Sequence, residues 1–118
     1  MGGTVERGGR GEALATIFFE LRGASVLARN ARLAGCEVDL LVRHGRTLAL
    51  VEVKLRSRSD FGGAVGAVDA RKQRRLLRAA SALVARGEDD VRIDVVTIDM
   101  EPDGLRLTHY PNAVSASA

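Results

Sequence analysis

Between Gly11 and Arg22 the apolar residues Leu14, Ile17, Phe18 and Leu21 recur at helical spacing, which predicts an amphipathic helix stopped by Gly23. The period then changes. Residues 24–30 read as a strand, and 36–43 with 46–56 as two more, joined by a tight turn around His44-Gly45. Ser57 to Gly66 is a loop of small and polar residues. Asp69 is a good N-cap for a second helix that runs to Arg86 and ends before Gly87. Residues 91–99 and 104–110 form the last two strands, parted by Pro102-Asp103-Gly104. The glycine-rich residues 1–9 and the small, featureless residues 114–118 are expected to lie loose, which leaves one domain over 10–113. Helix, three strands, helix, two strands (αβββαββ) predicts an α/β domain with a mixed central sheet flanked by helices.

Alternation assigns faces to the middle strands. Ala49, Val51, Val53 and Leu55 share one face of their strand, and Leu48, Leu50, Glu52, Lys54 and Arg56 the other. In the strand before it, Cys36, Val38, Leu40 and Val42 alternate with Glu37, Asp39, Leu41 and Arg43. A hairpin closing symmetrically on His44-Gly45 pairs Val42 with Thr47 and Glu37 with Glu52, and sets Asp39 diagonal to Glu52. Two readings follow. Lys54 bridges these acids on an ordinary solvated strand pair, or the carboxylates meet around a divalent cation. Glu37 opposite Glu52 is repulsive, and one ammonium cannot neutralise three acids. Carboxylate oxygens suit Mg²⁺ or Mn²⁺, and a lysine beside such an ion can hold water or offset charge on a phosphate.

Composition sharpens this picture in two places. Of eighteen basic residues only Lys54 and Lys72 are lysines, so a lysine here marks a need for a compact ammonium. The net charge of +3 and pI of about 9.7 favour anionic partners without naming one. A single cysteine, Cys36, excludes an internal disulfide and a multi-cysteine zinc site. No apolar run is long enough to span a membrane and no leader is visible, so the chain is expected to be cytoplasmic.

Asp39, a twelve-residue gap, then Glu52-Val53-Lys54 resembles the signature of the PD-(D/E)xK nuclease superfamily, whose fold is that of the restriction endonucleases. Further residues agree: Gly11-Glu12, Asn30-x-Arg32, Glu37-Val38-Asp39-Leu40, Phe61-Gly62, Lys72 and Arg92-x-Asp94. Together they resemble the YraN or UPF0102 family, described as nucleases similar in fold to Holliday-junction resolvases. The resemblance implies that Asp39 and Glu52 bind Mg²⁺ (or Mn²⁺) with the Val53 carbonyl, that Lys54 is the catalytic lysine and that Glu12 is an additional acid near the metal. It departs at Cys36, where the family has Gly. Cys36 is expected to point away from the carboxylates and to alter packing alone.

The remaining candidates keep two readings each. Glu37 is an outer ligand or the partner of an arginine. Lys72 and Gln73 open the second helix, and Gln73, inside its apolar stripe of Leu76, Leu77, Ala80, Leu83 and Val84, serves either the site or the backbone at the sheet edge. Arg71, Arg74, Arg75 and Arg78 form a solvated face or a grip on phosphates. Arg32, Arg56 and Arg58 are expected to contact nucleic acid. His44 occupies a turn, His109 has no partner by spacing, and Asp94 caps or pairs within the fold. Two functions compete: a Mg²⁺-dependent endonuclease acting on DNA, branched structures included and with a homodimer plausible, or a non-catalytic nucleic-acid-binding module of nuclease-like fold. RNA is a weaker alternative substrate.

Overall fold

The computed structural model of the chain describes residues 3–57 and 68–115. The elements follow the expected order: α1 (Gly3–Leu21), β1 (Ser25–Leu33), β2 (Cys36–His44), β3 (Thr47–Arg56), α2 (Ala70–Ala85), β4 (Asp90–Glu101) and β5 (Gly104–Val114). The strands form one sheet in the order β1-β2-β3-β4-β5. Neighbours run antiparallel except β3 and β4, which are parallel and joined across the sheet through α2. This mixed α/β sheet is the architecture predicted above.

Each helix covers one face. On the α2 side, Leu76, Ala79 and Leu83 bury Leu48, Leu50, Ile93 and Val95. On the α1 side, Ala15 and Phe19 pack with Ala49, Val51, Val96 and Ile98. The ends of α2 are as expected: Asp69 caps its first turn by accepting the Lys72 N–H at 2.8 Å, and Gly87 follows with a φ of +107°. Within its apolar stripe, however, Val84 is 54% exposed.

The first helix packs by a different stripe from the one its large residues suggest. Leu14, Ile17 and Leu21 are exposed, while Gly11, Glu12, Ala15 and Phe19 face the sheet. A Cβ on Gly11 would stand 3.4 Å from Val53 Cγ1, so small residues let the helix lie close against β3. The helix also starts at Gly3, so most of the glycine-rich stretch expected to be loose is helical, against its low propensity. At the other end β5 runs through Pro111 to Val114, which pairs with Ile93 and is buried.

The β2–β3 hairpin differs from expectation in register. His44 pairs with Thr47, so the turn is Gly45-Arg46, with Gly45 at a φ of +63° in the first central position. Leu40 therefore meets Val51, two residues displaced from a closure centred on His44-Gly45. Glu37 no longer opposes Glu52, and the ladder ends at the Leu40 pair.

Alternation in β2 also breaks there. Cys36 and Val38 belong to the α2-side core, whereas Leu40 and Val42 belong to the α1 side. The strand turns its faces over at Asp39. Cys36 consequently lies on the same side as Glu52, contrary to the expectation that it points away, and the residue is 2% exposed.

The packing faces are tested by two substitutions read in thermal or urea unfolding. Leu50→Ala, in the α2-side core, is expected to cost about 2 to 5 kcal/mol. Ile17→Ala, on the outer stripe of α1, is expected to change stability by less than about 0.5 kcal/mol. Comparable losses would show that α1 packs by its large residues after all.

Candidate active site

Glu52 follows the last β2–β3 pair on β3 and is paired with Val95 of β4, and its side chain is only 6% exposed. Two ammonium groups approach it. Lys54 Nζ is 3.5 Å from Oε2, and Lys72 Nζ, from the first turn of α2, is 3.5 Å from Oε1. Lys72 also donates to the Glu37 carbonyl at 2.7 Å, so it ties α2 to β2 across the acid. The Asp69 cap fixes the helix turn from which Lys72 reaches over.

Asp39 sits where β2 leaves β3. Its Oδ2 accepts the Val53 N–H at 2.8 Å, replacing the backbone pair lost as the ladder ends. This places the Val53 peptide between the two acids. Desolvation raises the Asp39 pKa, against lowering by the Val53 hydrogen bond, Lys72 and Lys54. Burial also raises Glu52, and the Asp39 charge adds to it, outweighing the two lysines. Both carboxylates thus hold protons more tightly than ordinary ones, chiefly because they are buried.

Buried polar atoms tell the same story. Glu52 Oε1, Thr97 Oγ1 and Arg56 Nη1 are buried with no hydrogen-bond partner among the described residues. Thr97 pairs with Lys54 across β3–β4, so all three orphans lie along one stretch of the parallel ladder. Two carboxylates, a nearby peptide and an unsatisfied oxygen suit a hard divalent cation that keeps several waters. Among the described residues no three His, Cys, Asp or Glu side chains are grouped to hold a metal ion.

Glu12 is buried on α1 and faces Asp39. Desolvation and then Asp39 raise its pKa, while a side-chain hydrogen bond from Asn30 and the Arg29 charge lower it. Asp39 therefore links Glu12 to Glu52. Asn30 holds its side chain there from a left-handed backbone position, φ +53°, between two paired residues of β1. Nothing in its sequence context beyond its place in the family pattern signalled that role.

The other candidates are distributed as follows. Glu37 has an exposed side chain, and its carbonyl faces the site. Gln73 donates to the Val68 carbonyl at 2.8 Å, bracing the entry to α2. Arg56 forms a two-bond pair with Asp99 at 2.9 and 3.3 Å, and both side chains are nearly buried. That pair holds the Arg56 side chain along the β3–β4 ladder. Arg32 is exposed beside Glu37. Arg58 lies outside the described residues. Cys36 Sγ donates to the Glu37 carbonyl at 3.6 Å, and burial raises its pKa.

Away from this site, His109 finds the partner that spacing did not reveal. Its Nε2 is 2.7 Å from Asp94 Oδ2, and Asp94 also accepts from Arg92 and the Asn112 N–H. Burial raises the Asp94 pKa, but these hydrogen bonds outweigh it and hold the carboxyl below the usual range. Asp94 staples β4 to β5 where their register shifts. His44 is exposed at the end of β2, next to the turn.

Residues 11–98 match the model of the uncharacterised protein family UPF0102, and the chain belongs to that family. A UPF0102 protein of Dechloromonas aromatica is 44% identical over 114 residues, covering 96% of this chain and 92% of its own. One from Solibacter usitatus is 47% identical over 96 residues, 77% of this chain and 73% of that one. A third, from Geobacter sulfurreducens, is 42% identical over 110 residues, 90% and 86% of the two chains. Among solved structures, Pyrococcus furiosus SfsA in complex with Ca²⁺ gives a TM-score of 0.45 at 14% identity, over 81% of this chain and 57% of that one.

The raised carboxyl pKa values fix the sign of a pH effect. Folded Asp39 and Glu52 bind protons more tightly than the unfolded chain, whose values are about 3.8 and 4.5. Stability is therefore lost as pH rises from those values through the raised ones, and the cost is complete once both groups ionise. In EDTA, Glu52→Gln is expected to melt above the unmodified protein at neutral pH, with the gap closing below about pH 4. A lower melting temperature for the variant at neutral pH would mean that Lys54 and Lys72 already over-compensate the charge.

Proposed function

We propose that this chain is a Mg²⁺- or Mn²⁺-dependent endonuclease that hydrolyses phosphodiester bonds in DNA. One observation supports it above all: Glu52 is a buried carboxylate whose Oε1 makes no hydrogen bond and is approached only by the Lys72 ammonium at 3.5 Å, beside a second carboxylate oriented by the next peptide of the same strand. Asp39 and Glu52 would hold the ion, with the Val53 carbonyl as an additional donor and Glu12 behind Asp39. A divalent cation, when bound, would polarise the phosphate and make a bound water more acidic.

The chain's own residues do the rest. The Val53 N–H fixes the Asp39 carboxylate, so it spends little entropy on binding. Lys54, 40% exposed at its side chain, is free to orient the attacking water or to offset charge developing on the phosphate oxygens. Lys72, anchored on the Glu37 carbonyl, keeps a second positive charge beside Glu52. Arg32 would contact the strand near the scissile phosphate. Cutting both strands of a duplex calls for two such sites, so a homodimer belongs to this reading.

A non-catalytic nucleic-acid-binding module is the second reading, favoured by the two ammonium groups that approach Glu52 with no ion required.

Purified protein incubated with linear, nicked, flapped, four-way and single-stranded DNA, and with RNA, separates them. Cutting is expected with Mg²⁺ or Mn²⁺ and to cease in EDTA. Lys54→Ala is expected to lower the rate by about 10² to 10³-fold, and Glu52→Ala by at least as much. Binding that survives both substitutions, with no product from any substrate, supports the module.

A further inference from the structure

We infer that the outer face of α2 is the docking surface for the phosphate backbone of duplex DNA, which runs along its arginines and meets Glu52 past the first turn. The identity of the polyanion rests on the nuclease reading; the surface itself rests on charge and geometry.

The helix Ala70–Ala85 holds Arg71, Lys72, Arg74, Arg75 and Arg78 and no acidic residue, so it carries +5 while the rest of the chain, at +3 overall, nets −2. This is the most positive element of the fold; β1, with Arg29 and Arg32 and no acid, follows at +2. The side chains of Arg71, Arg74, Arg75 and Arg78 are exposed and form no ion pair or hydrogen bond among the described residues, although the Arg71 charge lies near the N-cap carboxylate of Asp69. Cations three and four apart on a helix repel one another, so this row disfavours the helix that bears it. Charge placed at that cost, and left unpaired, suits a polyanion that supplies the missing partners.

Position and spacing agree. Lys72, one residue from Arg71, contacts Glu52. Arg71 and Arg78 are about 10 Å apart along the helix axis, which spans about two or three phosphates of one DNA strand.

Among the described residues, which leave out Phe61, aromatic placement favours the duplex. Proteins that grip single strands stack bases on aromatic side chains. Here Phe18 and Phe19 lie on the α1 side against His109, and Tyr110 packs into the α2-side core from β5. Among the described residues, none of these rings stands on the outer face of α2. Such a surface holds a backbone without reading bases.

The test is fluorescence anisotropy in EDTA, with a short blunt DNA duplex and one of its single strands, across a salt series. Each lost phosphate contact removes about 0.9 from the slope of log K against log salt. The variant R71Q/R74Q/R75Q/R78Q is expected to flatten the duplex slope by about 2 to 4. It should melt no lower than the unmodified protein, because like-charge pairs are gone. Arg46→Gln, at the exposed β2–β3 turn, should leave the slope unchanged, and the single strand should bind the unmodified protein at least tenfold more weakly than the duplex.

An unchanged slope in the folded quadruple variant, or a single strand held as tightly as the duplex, overturns the inference. If that variant loses its far-ultraviolet helix signal, R74Q/R78Q is read in its place, with a flattening of about 1 to 2 expected and none overturning. No cutting is measured, so failure of the nuclease reading leaves the result standing. An unmodified protein without duplex affinity at low salt overturns the docking surface alone.

Discussion

A carboxylate buried inside a sheet is the constraint around which this structure is organised. Glu52 lies on β3 beside β4, just past the end of its ladder with β2, and its burial raises its proton affinity despite two nearby ammonium groups. An aliphatic residue there would extend the core formed by Leu48 and Leu50 without that penalty. The surrounding elements accommodate the acid. β2 ends its ladder at Leu40 so that Asp39 can bond the Val53 N–H, and α2 begins so that Lys72 reaches over. On the proposed reading, holding a cation against a phosphate would give this otherwise unfavourable arrangement a purpose.

The same constraint explains why the two helices differ. α1 approaches β3 closely through Gly11 and Ala15 and carries Glu12 to Asp39. α2 seals the opposite face with Leu76, Ala79 and Leu83, while its first turn and outer face stay cationic. One helix brings negative charge to the edge of the site, the other positive charge.

Much of this was legible in the sequence because it is local. Periodicity located every element of the described residues, Asp69 and Gly87 marked the ends of α2, and the scarcity of lysine drew attention to both Lys54 and Lys72. What was not legible depends on partners distant along the chain. The packing stripe of α1 was misread because Leu14, Ile17 and Leu21 are larger than Gly11 and Ala15, and size alone does not say which side the sheet occupies. Moving the turn from His44-Gly45 to Gly45-Arg46 displaced the whole hairpin register. Cys36 was assigned to the wrong face because strict alternation cannot foresee the inversion at Asp39. Arg56 meets Asp99, and His109 meets Asp94, through a sheet order that no short motif encodes.

The central claim is that Asp39 and Glu52 share one divalent ion. Diffraction from Mn²⁺-soaked crystals at the manganese absorption edge reads it directly. The account predicts an anomalous peak within bonding distance, about 2.0 to 2.3 Å, of a carboxylate oxygen from each residue. Manganese bound elsewhere, with Lys54 and Lys72 still closed on an ion-free Glu52, would contradict it.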